Sequence, residues 1–153
     1  MKRITYLIIT LFSITLLACG GGDGQSRKDK ILAKSVKDPY QNWQEYQGVG
    51  PIEAFTLSDE VDQQLVDQGM SIFESKCTAC HKAEKKFIGP APKGILSRRN
   101  PAWVMNMILA PDKMVLEDPI AKKLLMEFNG SPMANQNLTK EEARAVLEYF
   151  RTL

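Results

Sequence analysis

The clearest periodic pattern lies at the C-terminal end of the chain. Ala143, Val146, Leu147 and Phe150 recur at i, i+3, i+4 and i+7, which places them on one face of an α-helix. Thr139 precedes the pattern and Glu142 follows it by three residues, the arrangement of a capping box. A second helix is predicted from Ser58 as N-cap, with Asp59 and Glu60 in its first turn, to about Lys76. Val61, Leu65, Ile72 and Phe73 share its apolar stripe with Gly69. Between these two, Asn100-Pro101 reads as a cap followed by an N1 proline. It opens a helix from Ala102 to Ala110 that is apolar on nearly every side, through Trp103, Val104, Met105, Met107, Ile108 and Leu109. Pro111 ends it, and Met114 and Val115 are assigned to the loop that follows. Asp118-Pro119 starts another helix by the same device, with Ile120, Leu124, Leu125 and Phe128 apolar and a stop near Asn129-Gly130. No stretch alternates as a strand, and there is no internal repeat or phosphate loop. The pattern is all-α.

The N-terminus follows a different pattern. Lys2 and Arg3 precede an apolar run from Ile4 to Leu17, softened by Thr and Ser and shorter than the roughly 20 apolar residues of a membrane span. This is the layout of an export signal. It ends in Leu16-Leu17-Ala18-Cys19, which resembles a bacterial lipobox: a signal over 1–18, cleavage before Cys19, and lipid on that cysteine. The competing reading is an ordinary secretory signal or an uncleaved anchor with Cys19 incidental. Either way the rest of the chain is exported, to face the periplasm or the cell exterior. Residues 19–56 read as a lipidated tether and an extended arm. Gly20 to Ser26 is Gly-rich and polar, and Asp38-Pro39 breaks any helix before it. A fully flexible chain over 19–56 would reach about 35 Å, from about 5–6 Å × √n. Trp43, Tyr46 and Phe55 are unusual in a pure linker, so the arm is expected to lie against the folded domain over 57–153.

Charge narrows the partners. Lys and Arg number 20 against 18 Asp and Glu, and without Lys2 and Arg3 the balance is even. Strong non-specific binding to nucleic acid is excluded on that ground.

The candidate chemistry is concentrated in Cys77-Thr78-Ala79-Cys80-His81, which holds two of the three cysteines and the only histidine. C-x-x-C-H is the attachment signature of c-type haem. Each thiol adds across a vinyl group of the porphyrin to form a thioether, and two intervening residues let one turn of backbone reach both vinyls. The next residue, His81, then lies under the iron as proximal ligand. Structural zinc would need four ligands, and the chain has no second pair. A thioredoxin-like site would need a βαβ context, which is absent from the pattern. One cysteine for lipid and two for haem leave none for a disulfide.

From about Leu57 to Leu153 the chain resembles a class I cytochrome c. Gly69 and Phe73 precede Cys77-Thr78-Ala79-Cys80-His81, then come Gly89-Pro90, Pro132-Met133 and a terminal helix ending in aromatics. The resemblance implies a small helical fold around one covalent haem, with Gly69 where the first and last helices cross closely. It implies that the Pro90 carbonyl accepts the Nδ1–H of His81, and that Met133, in the loop before the last helix, is the distal iron ligand. Met114, also assigned to a loop, is the rival for that role. The alternative for Pro90 and Pro92 is that they only stiffen the turn, and for Gly69 that it is a tolerated surface glycine. Pro92 stands where the family commonly has an apolar residue such as Leu, and Ala134 where Pro is common.

One His and one Met leave no open iron site, so the implied activity is one-electron transfer rather than catalysis. The expected role is a carrier in a bacterial respiratory chain, between a donor complex or cytochrome and a terminal reductase or oxidase. The segments Gly48-Val49-Gly50-Pro51 and Asn100 to Pro111 resemble those of small cytochromes that serve reductases such as nitrous oxide reductase. Lys76, Lys82, Lys85, Lys86, Lys93, Arg98 and Arg99 face a single nearby acid in sequence, Glu84, and suggest either a basic docking rim or an ordinary solvated surface. Two other readings remain at this stage: a haem enzyme or gas sensor with an open distal site, and a haem subunit of a larger complex.

Overall fold

The computed structural model describes residues 38–153, which fall in one compact unit. The signal, Cys19 and the tether up to residue 37 lie outside the described residues. Within them the chain forms five α-helices and no strand: α1 (Gln63–Lys76), α2 (Pro101–Leu109), α3 (Pro111–Glu117), α4 (Pro119–Glu127) and α5 (Lys140–Phe150). None of them is long and apolar enough to cross a membrane.

The frame is the crossing of α1 and α5. α5 begins with the capping box of Thr139 and Glu142 and buries Ala143, Val146 and Leu147. α1 buries Val66, Gly69 and Phe73. A Cβ on Gly69 would overlap the Ala145 carbonyl oxygen, so the two backbones touch where residue 69 has no side chain. Phe73, one turn on, fills the angle of the crossing. Its ring centroid lies 5.6 Å from that of Tyr149 and 5.8 Å from that of Phe150, edge-on to the latter.

α1 starts later than the sequence suggests. Its N-cap is Asp62, whose carboxylate accepts from the N–H groups of Gln64 and Leu65, and Ser58 lies outside the helix. The reason is a long-range contact. Arg151, just past the end of α5, donates to the carbonyls of Ser58, Asp59 and Glu60 and holds that segment out of helical conformation. Val61 is consequently exposed rather than part of the buried stripe.

The same corner contains a buried charge. Glu148 is fully buried and accepts from Arg144, from Arg151 at 2.7 Å and from the Asp62 N–H at 3.0 Å. One carboxylate thus ties α5 to the first turn of α1. Burial alone would raise its pKa. The Asp62 N–H and the two guanidiniums outweigh that effect and hold it below the ordinary value of 4.5.

α2 starts at Asn100 and Pro101 as its cap dipeptide predicts. The expected loop after Pro111 is instead α3. Pro111 ends one helix and occupies the first turn of the next, because its missing N–H is harmless there. Met114 is therefore a fully buried helical residue. Asp118 and Pro119 open α4, and Asn129 and Gly130, both with positive φ, close it.

The arm over 38–56 packs on the helices. Tyr46, Val49, Ile52 and Phe55 lie against the core. Asn106, fully buried on α2, donates to the carbonyls of Gln47 and Ile52 and accepts from the Ile52 N–H. One side-chain amide thereby fixes both ends of a tight loop.

Replacing Glu148 by Ala leaves two largely buried guanidiniums unpaired. We expect a loss of about 3 kcal/mol in denaturant unfolding at neutral pH, the typical cost of breaking a buried pair. Because the folded carboxyl titrates below its ordinary value, the stabilisation is complete above about pH 4.5. It disappears as pH falls through the folded pKa. In Glu148→Gln that part of the acid dependence should be missing.

Candidate functional site

α1 runs directly into the chemistry. Cys77 is its C-cap, with its N–H bound to the Phe73 carbonyl at 2.9 Å. The N–H groups of Cys80 and His81 both donate to the Cys77 carbonyl, at 3.1 and 2.9 Å, so 77–81 wind as one more turn. The thiols are not bridged to each other; Cys77 is half-buried and Cys80 exposed. Burial raises the Cys77 thiol above its ordinary pKa, and the positive charge of Lys76 offsets this only in part.

His81 is held from two sides. Its Nδ1 lies 2.8 Å from the Pro90 carbonyl. A carbonyl only accepts, so Nδ1 is the donor, and in the neutral ring this leaves the lone pair on Nε2. Gly89 packs against the ring so closely that any Cβ there would overlap Cε1. The Gly89 N–H donates to the Cys80 carbonyl at 2.8 Å, which ties this loop to the Cys-x-x-Cys turn.

Cys77, Cys80 and His81 open onto a large cavity of about 1270 Å³, its open mouth included. Its walls are mostly apolar: Phe73 from α1, Val104, Met107 and Ile108 from α2, Leu124 and Leu125 from α4, Val146 and Phe150 from α5. Met133, from the loop over 131–139, is part of the same wall. Met114 is not. Its sulfur accepts the Val49 N–H at 3.3 Å in the core, under the arm. Met107 is the other methionine in the wall, on α2; Met105 is buried outside it, and Met126 and Met70 are exposed. Among the described residues no cluster of three His, Cys, Asp or Glu groups offers a metal site of the zinc kind.

Arg98 and Arg99 also line the cavity; Arg98 stays exposed, whereas Arg99 is half-buried. Arg98 donates to the carbonyls of Lys93 and Ala91. Arg99 stacks over Trp103 at 5.4 Å. Burial lowers both guanidinium pKa values, and the Arg98 charge lowers that of Arg99 further. The Nε of Arg99 is buried without a hydrogen-bond partner. Two crowded cations and an orphaned donor on an otherwise apolar cavity fit a flat apolar group with carboxylate tails, as haem is. In sequence Arg99 is indistinguishable from an exposed basic residue; only its position just before the Asn100-Pro101 cap hints at an inward turn. Lys93 is paired with Glu84 at 2.6 Å. The expected rim is thus reduced to Lys76, Lys82, Lys85 and Lys86, with Lys82 and Lys86 lying over the rings of Phe87 and Phe128.

Known proteins agree with this arrangement. Residues 66–153 match the family described as cytochrome c. A cytochrome c from Rhodothermus marinus has a similar structure, with a TM-score of 0.66 and 38% identity over 75% of this chain and 96% of that one. An engineered form of it matches at 37% identity, with the same TM-score and coverage. A cytochrome c domain from Pseudomonas putida matches at 29% identity and a TM-score of 0.51, over 55% of this chain and 85% of that domain. No curated protein sequence matches. With its helices, its Cys-x-x-Cys-His turn and its cavity in this arrangement, the chain belongs to the cytochrome c family, as an electron-transfer protein with one covalently bound haem c.

Proposed function

We propose that this protein is a His/Met-ligated electron carrier of a bacterial respiratory chain, tethered to a membrane through lipid on Cys19. The observation that carries the ligation is that Cys77, Cys80, His81 and Met133 all face one apolar cavity. Cys77 and Cys80 would hold the haem through thioethers, and His81 would present Nε2 to the iron. The Pro90 carbonyl fixes the tautomer of His81 and increases its basicity. Met133 offers a soft thioether from the loop between α4 and α5. When bound, the haem supplies a one-electron Fe(III)/Fe(II) couple, and a His/Met pair favours electron transfer over binding of small molecules. The apolar walls would keep water from the haem, and Arg98 and Arg99 would offer their charges to its propionates.

Lys76, Lys82, Lys85 and Lys86 flank the Cys-x-x-Cys-His turn beside the exposed Phe87 and Ile88. An apolar spot among lysines suits a donor or acceptor with an acidic surface, and such an encounter weakens with salt. The acceptor in this reading is a terminal reductase or oxidase, and the tether lets the domain move between partners.

Met133→Ala is expected to keep its covalent haem but lose the Met–iron charge-transfer band and bind CO in the ferrous form. A variant with an unchanged spectrum and no response to CO would pass the role to Met107, the other methionine of the wall. Cys19→Ser is expected to leave the spectrum untouched and move the protein from the membrane to the soluble fraction. If fractionation still finds it in the membrane, the lipid reading is wrong.

A further inference from the structure

Asp118 is the N-cap of α4 and is fully buried. Its Oδ1 accepts the Ala121 N–H at 2.8 Å, and its Oδ2 accepts the Trp103 indole N–H at 3.2 Å. The Tyr46 hydroxyl, from the arm, also donates to it. Burial and this bond raise the Tyr46 pKa far above its ordinary value, so the phenol stays protonated as the donor. All three partners are neutral donors. This satisfies an ionised carboxylate and leaves no acceptor for a carboxylic acid proton. None of the ion pairs among the described residues involves Asp118.

A cap does not need this charge. Asn or Ser caps a helix about as well as Asp, and a buried carboxylate carries a desolvation cost that a neutral cap avoids; the Arg99 charge acts on Asp118 through space without a direct ion pair and offsets part of that cost. Asp118 is also placed to act on the haem. The indole that it holds is a wall of the cavity, and Arg99 lies on the same ring. The carboxylate is therefore one indole's width from the cavity, buried where solvent screens it little.

We propose that Asp118 tunes the reduction potential. Its fixed negative charge favours the ferric over the ferrous haem, and the arm, through Tyr46, moderates that charge. No group transfer or proton movement is involved. The proposal rests on haem c occupying the cavity and not on Met133 as its ligand. With an effective dielectric of about 20, a unit charge about 12 Å from the iron would change the redox equilibrium on the order of tenfold.

The test is a redox titration of the matured full-length protein and two variants, with optical spectra and thermal unfolding recorded on each. Asp118→Asn keeps the shape and the acceptor for Ala121 and removes the charge. Its equilibrium is expected to move towards ferrous haem about tenfold, equivalent to about 59 mV for one electron. Tyr46→Phe keeps the charge and removes one donor, so its potential is expected to fall, by up to about twofold in the equilibrium. A folded Asp118→Asn variant with an unmoved or lowered potential overturns the proposal, whatever its melting temperature. A rise shared by Tyr46→Phe overturns it too, because loosened packing would then account for both. If Asp118→Asn does not fold, Tyr46→Phe decides: a lowered potential supports the proposal, and an unmoved or raised one overturns it. The spectra report the axial ligands separately, so a failure of the Met133 assignment is distinguishable from a failure here.

Discussion

Everything in this fold depends on two helices touching backbone to backbone. At Gly69 the distance between α1 and α5 is set by the absence of a side chain, and the Ala145 carbonyl occupies the space a Cβ would take. Phe73 then wedges between α1 and the aromatic end of α5. Because Cys77 continues the same helix, the crossing also fixes where the Cys-x-x-Cys-His turn begins. Cavity walls from α1 and α5 meet that turn in register for the same reason. The steric constraint is local, and its effects extend to the cofactor.

Much of this is visible in the sequence because the signals are short-range. Cap dipeptides at Asn100 and Asp118 and the Thr139 capping box mark helix starts through side chains that bond two or three residues away. Gly69, Phe73 and the Cys-x-x-Cys-His run have fixed spacings along one helix and the turn after it. What escapes the sequence is set by distant partners. Ser58 is a competent cap, but Arg151 claims the carbonyls that a helix there would need. Pro111 stops α2 and starts α3, and no periodicity distinguishes one role from the other across so few residues. Met114 reads as a loop methionine for that reason; the helix turns it into the core, away from the cavity.

The charged residues are the other difference. Read as a string, the segment from Lys76 to Arg99 is a basic patch. In space it divides by function. Lys93 neutralises Glu84, Arg98 braces its own loop, and Arg99 turns inward over Trp103. Four lysines remain beside an exposed Phe and Ile. Clustering in sequence overstates the field at the surface and conceals the one arginine that turns inward, Arg99.

The crossing of α1 and α5 also sets the order of events during maturation. Its two halves come from opposite ends of the domain, so the contact is non-local and must wait for the whole chain. Until α5 docks, neither Val146 nor Phe150 closes the cavity, and the two thiols at the end of α1 stand on an open helix end. The interval between the appearance of Cys77 and Cys80 and the arrival of the last helix is therefore a built-in delay. A bulky ring can be attached in that interval without having to enter a finished interior.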